Sequence, residues 1–397
     1  MSRPLLLLLA MAAGASVANV YYAQPLLEQL AGEFGLGEAL AGGMVAATQL
    51  GSVMALLCLV PLADRHDRRR LLLLQFGLLV LALLWLASAQ GRMHLLSGMV
   101  LVGLFGTACT QGLITCTAAL SAPAERGRCV GVVQGGVFAG LLLARVVSGV
   151  VAAGQGWRMV YGGSALLLVM LALLLWRQLP ALAPALPDPL HREPLESMGR
   201  LLREDARLRE RGVLALLLFA GLNVFWGAVS LPLSAPPLAW STAGIGALGL
   251  AGLVGAVLAG RVGHWMDRGY VRMISLAALL LMVLAWWPLL QMPRSLAWLL
   301  VGVVLLDLGG QALHVSNQAL LLRAPETRHG RLIALYMLFY AVGSGLGAVS
   351  GTFVQARWGW TGVCVLGAGI ALVALAWWTA WQWRGLMPCE GRCTSAR

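Results

Sequence analysis

Charged residues are scarce in this 397-residue chain, at 11% of the sequence, whereas hydrophobic residues make up 59%. A chain with so little charge cannot cover a folded surface in water, which excludes an ordinary soluble protein. Apolar runs of about 20 residues follow one another from end to end, and each is long enough to span a bilayer. We therefore predict an all-α, multi-pass membrane protein with twelve spans, at about 5–24, 40–62, 71–90, 94–117, 130–153, 159–177, 213–235, 243–262, 272–291, 296–319, 331–355 and 361–383.

Lysine is absent, so the formal net charge of +12 reflects an excess of arginine over acidic residues. In a soluble chain such an excess suggests a nucleic-acid partner, so the placement of the arginines decides the question. Of the 28 arginines, 23 lie at the N-terminus, in the even-numbered loops or in the C-terminal tail. The odd-numbered loops contain Arg92, Arg158, Arg294 and Arg357, and Arg145 lies inside a span. By the positive-inside rule, this distribution predicts cytoplasmic termini and excludes nucleic-acid binding.

Cysteine and histidine are too few and too scattered for metal or catalytic chemistry. The closest cysteine pair, Cys389 and Cys393, has no second pair and no histidine nearby, and we interpret it as two reduced thiols. There is no His-Glu-x-x-His pattern and no pair of carboxylates within one span, which excludes an intramembrane enzyme. The longest polar segment has about 35 residues, too few for a soluble sensor domain. The sequence thus predicts no metal, no cofactor and no enzymatic activity.

Residues 1–18 have the features of a cleavable secretory signal, with Arg3, a leucine run, and then Ser16 and Ala18. The apolar stretch, however, continues to Leu27. Cleavage would leave eleven spans and invert every loop. We therefore predict that this segment is retained as the first span.

Three dipeptides of the first half of the chain recur in the second half at a fixed offset of 203 residues. They are Asp64-Arg65 with Asp267-Arg268, Gly127-Arg128 with Gly330-Arg331, and Gly156-Trp157 with Gly359-Trp360. A constant offset indicates duplication, and a duplicated helical bundle is the architecture of secondary transporters. We predict two pseudo-symmetric six-helix halves, residues 1–178 and 213–384, with a cytoplasmic linker at 179–212 and a cytoplasmic tail at 385–397.

The linker contains a dense run of charge. Its segment 198–211 has leucines at helical spacing opposite an arginine-rich face. This pattern predicts a short amphipathic helix that lies either on the anionic inner leaflet or in solvent.

The loop after the second span carries a recognisable motif. The segment from Val60 to Arg69 resembles the signature Gly-x-x-x-Asp-Arg-x-Gly-Arg-Arg of the major facilitator superfamily. It keeps the aspartate and the arginines, but Val60 and Asp67 stand where glycines are usual. A second copy, 263–269, keeps the first glycine and the Asp-Arg pair. The resemblance covers nearly the whole chain and implies the twelve-helix major facilitator fold.

The resemblance also implies a cytoplasmic gate. A carboxylate at the cytoplasmic end of a helix, near arginines of the next turn and loop, forms charge-assisted hydrogen bonds that latch the two halves together. The alternative is that the arginines only anchor the loop on the cytoplasmic side. The predicted gate residues are Asp64, Arg65, Arg68, Arg69, Arg128, Asp267, Arg268 and Arg331.

Two further segments bear on the branch of the family. The antiporter motif of the fifth helix has a proline after its second glycine, whereas Leu141 follows Gly140 here. The strings 19–27 and 314–318 are similar to bacterial arabinose-efflux-like and drug-efflux-like permeases. This likeness implies a bacterial inner-membrane efflux permease, and the missing proline weighs against antiport.

Two charged residues lie well inside the predicted spans, Arg145 and Asp307, and such residues seldom persist in a bilayer without a role. Asp307 begins a polar stripe that continues at Gln311, His314 and Gln318, on one side of a helix. The resemblance implies that the first, fourth, seventh and tenth spans line a central cavity. The predicted cavity residues are Asn19, Tyr21, Tyr22, Gln24, Gln111, Arg145, Asn223, Trp226, Asp307, Gln311, His314 and Asn317.

Asp307 is the predicted proton site or the counter-charge for a cationic substrate, or else a static partner of Arg145. His314 relays protons, hydrogen-bonds to the substrate, or is a structural histidine between helices. We expect a monomeric secondary transporter, embedded in lipid, that exports small organic molecules by alternating access coupled to proton influx. A proton-coupled importer or a uniporter is the alternative.

Overall fold

The structure is a computed structural model that describes residues 1–64, 66–122, 124–180, 194–259, 270–322 and 326–386, with backbone alone at 64, 194–197, 253–259, 326–329 and 384–386. The helices are α1 (Arg3–Tyr21), α2 (Leu27–Glu33), α3 (Glu38–Met54), α4 (Arg68–Ala87), α5 (Arg92–Leu120), α6 (Arg126–Gln155), α7 (Trp157–Gln178), α8 (Pro194–Glu204), α9 (Ala206–Ala228), α10 (Ser230–Ser234), α11 (Thr242–Ala259), α12 (Val271–Leu290), α13 (Leu296–Leu321) and α14 (Glu326–Leu386).

Twelve membrane passes are present in the described part of the chain. Ten helical stretches are long and apolar enough to cross a bilayer, and the last, Gly330–Trp383, turns at Gly359 and so makes two passes. Helix α11 supplies the twelfth, with an apolar stretch over Thr242–Gly252. Helices satisfy every backbone hydrogen bond internally, which lipid requires. The predicted all-α, twelve-pass fold is confirmed.

Successive passes run in opposite directions. Helices α1, α4, α6 and α9 begin at one end of the bundle, which we call the terminal face because the N-terminus lies there. Helices α3, α5, α7, α11 and α13 begin at the other end, the distal face. One buried apolar cluster draws on α1 to α7 and another on α9 to α14, so each six-helix half packs around its own core.

The repeat is visible in the backbone at two glycines 203 residues apart. Gly156 joins α6 to α7 with φ 82° and ψ 160°, and Gly359 turns α14 with φ 61° and ψ −165°. Only glycine adopts this combination of positive φ and extended ψ at low cost. The tryptophan after each glycine is buried, at 1% exposure for Trp157 and 8% for Trp360. Each half therefore makes the turn between its fifth and sixth passes at the distal face with the same Gly-Trp backbone geometry.

Gly359→Ala is expected to destabilise the protein by about 1–3 kcal/mol, because a Cβ strains this backbone conformation. Gly369→Ala is the matched control, since Gly369 lies in the same helix with no atom within 4 Å of an added Cβ. Thermal unfolding of both variants in detergent measures the difference. Equal melting temperatures for the two would show that Gly359 is not required at the turn.

The predicted amphipathic helix of the linker is divided in the structure. Helix α8 ends at Glu204, and Asp205 caps α9 by accepting a hydrogen bond from the backbone N–H of Leu208 at 3.0 Å. Leu208 is fully buried in a third apolar cluster, together with Met198 of α8 and Tyr336 of α14. The first turns of α9 therefore pack inside the bundle, because the cap at Asp205 starts a new helix there.

The halves meet closely on the distal side. Thr242 Oγ1 donates to the carbonyl of Gly149 at 3.3 Å, and the backbone N–H of Gly42 donates to Thr352 Oγ1 at 3.1 Å. Glycines allow this approach, since a Cβ built on Gly149 would stand 3.0 Å from the Cα of Gly246. Among the described residues, Thr352 Oγ1 also donates to the carbonyl of Ala39 at 3.3 Å on the same side. The structure is therefore a distal-closed conformation.

Candidate functional site

Asp307 lies near the middle of α13 and is 6% exposed. Its Oδ1 accepts a hydrogen bond from Trp226 Nε1 at 3.3 Å, and its Oδ2 has no hydrogen-bond partner. Helix α11 approaches the carboxylate at Gly252, where an added Cβ would stand 3.3 Å from Asp307 Cγ. A carboxylate inside an apolar bundle, with one oxygen unsatisfied, is costly and indicates a functional group.

Arg145 lies in the distal half of α6 and is 5% exposed. Its Nε donates to Gln24 Oε1 at 2.7 Å, and its guanidinium carbon lies 3.8 Å from the centroid of the Trp226 ring. Trp226 therefore contacts both Arg145 and Asp307, and the two charged groups form no direct ion pair in this conformation.

The network continues across the boundary between the halves. Gln24 Nε2 donates to Asn223 Oδ1 at 3.2 Å, so Gln24 links Arg145 of its own half to α9 of the other. Tyr21 is buried beside Arg145, close enough for electrostatic interaction. We call Gln24, Arg145, Asn223, Trp226 and Asp307 the central cluster.

Local structure explains how Gln24 reaches this position. Pro25 lacks an N–H and cannot continue a regular α-helix, so the first pass changes to a short 3₁₀ segment, Gln24–Leu26, between α1 and α2. The break lies within the first pass, and Gln24 at this position is 3% exposed. On the other side of the cluster, Gly246 and Gly249 of α11 bring that helix against the backbone and Cβ of Arg145.

A second buried polar cluster lies nearer the terminal face. His314 Nδ1 and Tyr336 Oη share a hydrogen bond of 2.8 Å. Arg211 Nη1 donates to Asn317 Oδ1 at 3.2 Å, and Arg211 Nη2 pairs with Glu210 Oε1 at 3.0 Å. Glu210 and Arg211 have side chains that are 7% and 8% exposed. We call these five residues the lower cluster.

Glu210 and Arg211 fall within the predicted linker, and Tyr336 is not among the predicted site residues. The repeat indicates the burial of Glu210 and Arg211. The positions 203 residues earlier are Leu7 and Leu8, which lie inside the first span. The same offset places Leu104 opposite Asp307, so the second half carries charges where the first half carries leucine.

Other predicted cavity residues lie elsewhere. Asn19 Oδ1 accepts a hydrogen bond from Ser164 Oγ of α7 at 2.8 Å, and Tyr22 packs edge-on against Tyr161 of the same helix. These two side chains lie against α7, apart from the central cluster. Gln111, half-buried on α5, lines a cleft with Arg68 inside the first half. Gln311 and Gln318 are half-buried on α13, on the stripe that the sequence predicts.

Part of the predicted gate can be located. Arg68 Nε donates to the carbonyl of Ala63 at 3.3 Å, and Arg69 donates to the carbonyl of Trp176 in α7. Arg128 is exposed and Arg331 is half-buried. The side chain of Asp64, together with Arg65, Asp267, Arg268, Cys389 and Cys393, lies outside the described residues.

Twelve apolar passes in two halves, with a buried acid and a buried base where the halves meet, define a membrane transporter. A family model described as Major Facilitator Superfamily matches residues 6–322 and, in a second match, residues 262–385. The chain belongs to the major facilitator superfamily.

Similar proteins support the same class. The uncharacterized transporter YgaY of Escherichia coli O157:H7 is 37% identical over 97% of this chain and 96% of its own length. A protein of Helicobacter pylori named a probable sugar efflux transporter is 24% identical over 89% of this chain and 88% of its own length. The crystal structure of a bacterial homolog of the human lysosomal transporter Spinster, inward-facing and occupied, superposes with a TM-score of 0.77. It is 15% identical, covering 96% of this chain and 97% of the other, so that likeness shows the fold.

Proposed function

We propose that this protein exports small organic molecules from the bacterial cytoplasm by alternating access, as a monomer in the inner membrane, with proton influx as the energy source and no cofactor. The proposal takes the terminal face as cytoplasmic, because arginines concentrate in the segments that lie there. Its main support is Asp307, a buried carboxylate with a free Oδ2 at the junction of the halves.

A single carboxylate couples two solutes when it accepts either of them but not both. A proton on Oδ2 removes the negative charge and occupies the free lone pair, so a donor group of a substrate loses its partner. A bound substrate blocks the same oxygen to the proton. Because Asp307 contacts Trp226, which contacts Arg145 of the other half, its occupant acts directly on the contact between the halves.

The lower cluster supplies a second polar group on the same helix. His314 lies seven residues beyond Asp307 toward the terminal face, and its ring also packs edge-on against Phe138 of the first half at 6.0 Å. We propose that His314 passes protons between Asp307 and the terminal side. Closure of that side is assigned to the repeated Asp-Arg motifs, with Asp64 and Asp267 as the latch carboxylates.

Three observations bear on the direction of transport. The Helicobacter pylori relative is named for efflux, and the strings 19–27 and 314–318 are similar to efflux permeases. Leu141 in place of the antiporter proline favours the alternative, a proton-coupled importer or uniporter.

The test is proton movement in inverted membrane vesicles that contain the full-length protein. A pH gradient is established, and sugars, amino acids and cationic drugs are added one at a time. At least one compound is expected to discharge the gradient through the wild-type protein, and Asp307→Asn is expected to reduce that rate tenfold or more, because an amide cannot exchange a proton. Glu28→Gln is the matched control, since Glu28 is an exposed carboxylate of α2.

The outcomes separate the alternatives. If labelled solute equilibrates equally in the wild type and Asp307→Asn without any proton movement, the protein is a uniporter or uses another ion, and proton coupling is wrong. If solute and protons move in the same direction, the protein is an importer.

A further inference from the structure

The buried acid and base of the central cluster form no direct ion pair. The N–H edge of Trp226 donates to Asp307, and its ring face contacts the guanidinium of Arg145, so one indole ring contacts both charged groups. Both charged residues are more than nine-tenths buried. Opposite charges in an apolar environment are stabilised most simply by a direct ion pair with satisfied hydrogen bonds. Without a direct ion pair, each charged group keeps the capacity for a charged hydrogen bond to a ligand.

Each charged group also keeps hydrogen-bonding capacity that the protein leaves unused. Asp307 Oδ2 has no partner. A guanidinium carries five N–H donors, and in the described part of the chain Arg145 donates through Nε alone, to Gln24. An unsatisfied buried oxygen such as Asp307 Oδ2 is costly, and a ligand that supplies its partner removes that cost.

The charge balance of the site selects among ligand classes. A cation would compensate Asp307 but leave Arg145 as an unbalanced positive charge, and an anion would leave Asp307 unbalanced. A neutral sugar can hydrogen-bond to both groups but brings compensating charge to neither. A solute with one ammonium and one carboxylate compensates both groups and leaves the bound site neutral.

We propose that Arg145 and Asp307 bind the carboxylate and the ammonium of a zwitterionic solute of the amino-acid class, with Trp226 in contact with both groups. The head group of an α-amino acid carries both charges on adjacent carbons, and hydrogen bonds of about 2.8 Å at each end let it bridge two separated groups. The inference rests on the proposed function, because the ammonium and the transported proton then compete for the same Asp307 oxygen.

The test measures binding of radiolabelled leucine and phenylalanine to the purified full-length chain by equilibrium dialysis. The competitors are the parent amino acid, its methyl ester, which keeps only the ammonium, and its N-acetyl derivative, which keeps only the carboxylate. Wild type is expected to prefer the parent over either derivative by about 10- to 100-fold, the usual effect of one charged hydrogen bond.

Two variants are expected to show crossed losses of preference. Arg145→Gln abolishes the preference of the parent over the ester, and Asp307→Asn abolishes the preference of the parent over the N-acetyl derivative. Arg145→Lys keeps the positive charge and is expected to retain part of the preference over the ester. The controls, Arg294→Gln and Glu28→Gln, replace exposed charges outside the site and are expected to behave as wild type. A purely structural role for the pair predicts equal losses for all ligands.

The results distinguish this inference from the proposed function. If a sugar or an organic cation discharges the proton gradient through Asp307 and no amino acid binds, the proposed function stands and the zwitterion assignment is wrong. If amino acids bind with the crossed pattern and no protons move, the assignment stands and proton coupling is wrong. Equal binding of parent, ester and N-acetyl derivative, or no binding of any of them, overturns the assignment.

Discussion

Arg211→Leu alone is expected to cost about 3–5 kcal/mol of stability, because it leaves Glu210 as an uncompensated charge inside the bundle. The side chains of this pair are 8% and 7% exposed, and Arg211 also donates to Asn317. The double variant Glu210→Leu with Arg211→Leu removes both charges at once. It is expected to be within about 1 kcal/mol of wild type or more stable, as is common when apolar residues replace a buried ion pair.

The repeat supports the double variant, since Leu7 and Leu8 occupy the equivalent positions 203 residues earlier. Thermal and denaturant unfolding in detergent provide the measurement. Arg272→Leu is the control: Arg272 is exposed at the start of α12, and its replacement is expected to change stability by about 0.5 kcal/mol at most. If the double variant is as unstable as Arg211→Leu, the uncompensated charge of Glu210 is not what destabilises Arg211→Leu.

Gly149→Val is expected to reduce transport tenfold or more by preventing closure of the distal side. The Cβ would stand 3.0 Å from the Cα of Gly246 and would also lie against the carbonyl of Thr242, so α6 and α11 must separate. Overpacking of this kind costs about 1–3 kcal/mol, enough to shift the balance between conformations several-fold to more than a hundredfold. The initial rate of transport in proteoliposomes measures the effect.

Gly154→Val is the matched control, because Gly154 lies in the same helix with nothing within 4 Å of an added Cβ. A second readout reports the conformation itself. Ser230, fully buried in α10, is replaced by cysteine in a background without other cysteines, and labelling by an impermeant thiol reagent is followed. Faster labelling in Gly149→Val than in Gly154→Val is expected. Equal rates of labelling and transport would show that this contact does not control distal closure.

Much of this architecture can be predicted from local properties of the sequence. Span positions follow from hydropathy over about 20 residues, which depends on each segment alone. The offset between Gly156 and Gly359 predicts a duplicated fold, and the structure shows the same backbone turn at both. Asp307 and Arg145 were identifiable because a charge within an apolar run is visible without knowledge of its neighbours.

Other features depend on how helices rotate and pack, which no single span specifies. Asn19 and Tyr22 lie on the predicted first pass, yet they contact Ser164 and Tyr161 of α7. Glu210 has the appearance of a linker residue, yet it is buried because the cap at Asp205 starts α9 early and α8 packs over its first turns.

The sequence by itself determined the membrane class, the number of passes, the duplication and the two charges of the central cluster, because each is a property of local composition or spacing. Only the tertiary structure decided that Trp226 contacts both Arg145 and Asp307, that Gln24 joins the halves, and that a second charged pair is buried. These features are contacts between side chains far apart in the chain, and their geometry is set by the packing of many helices at once.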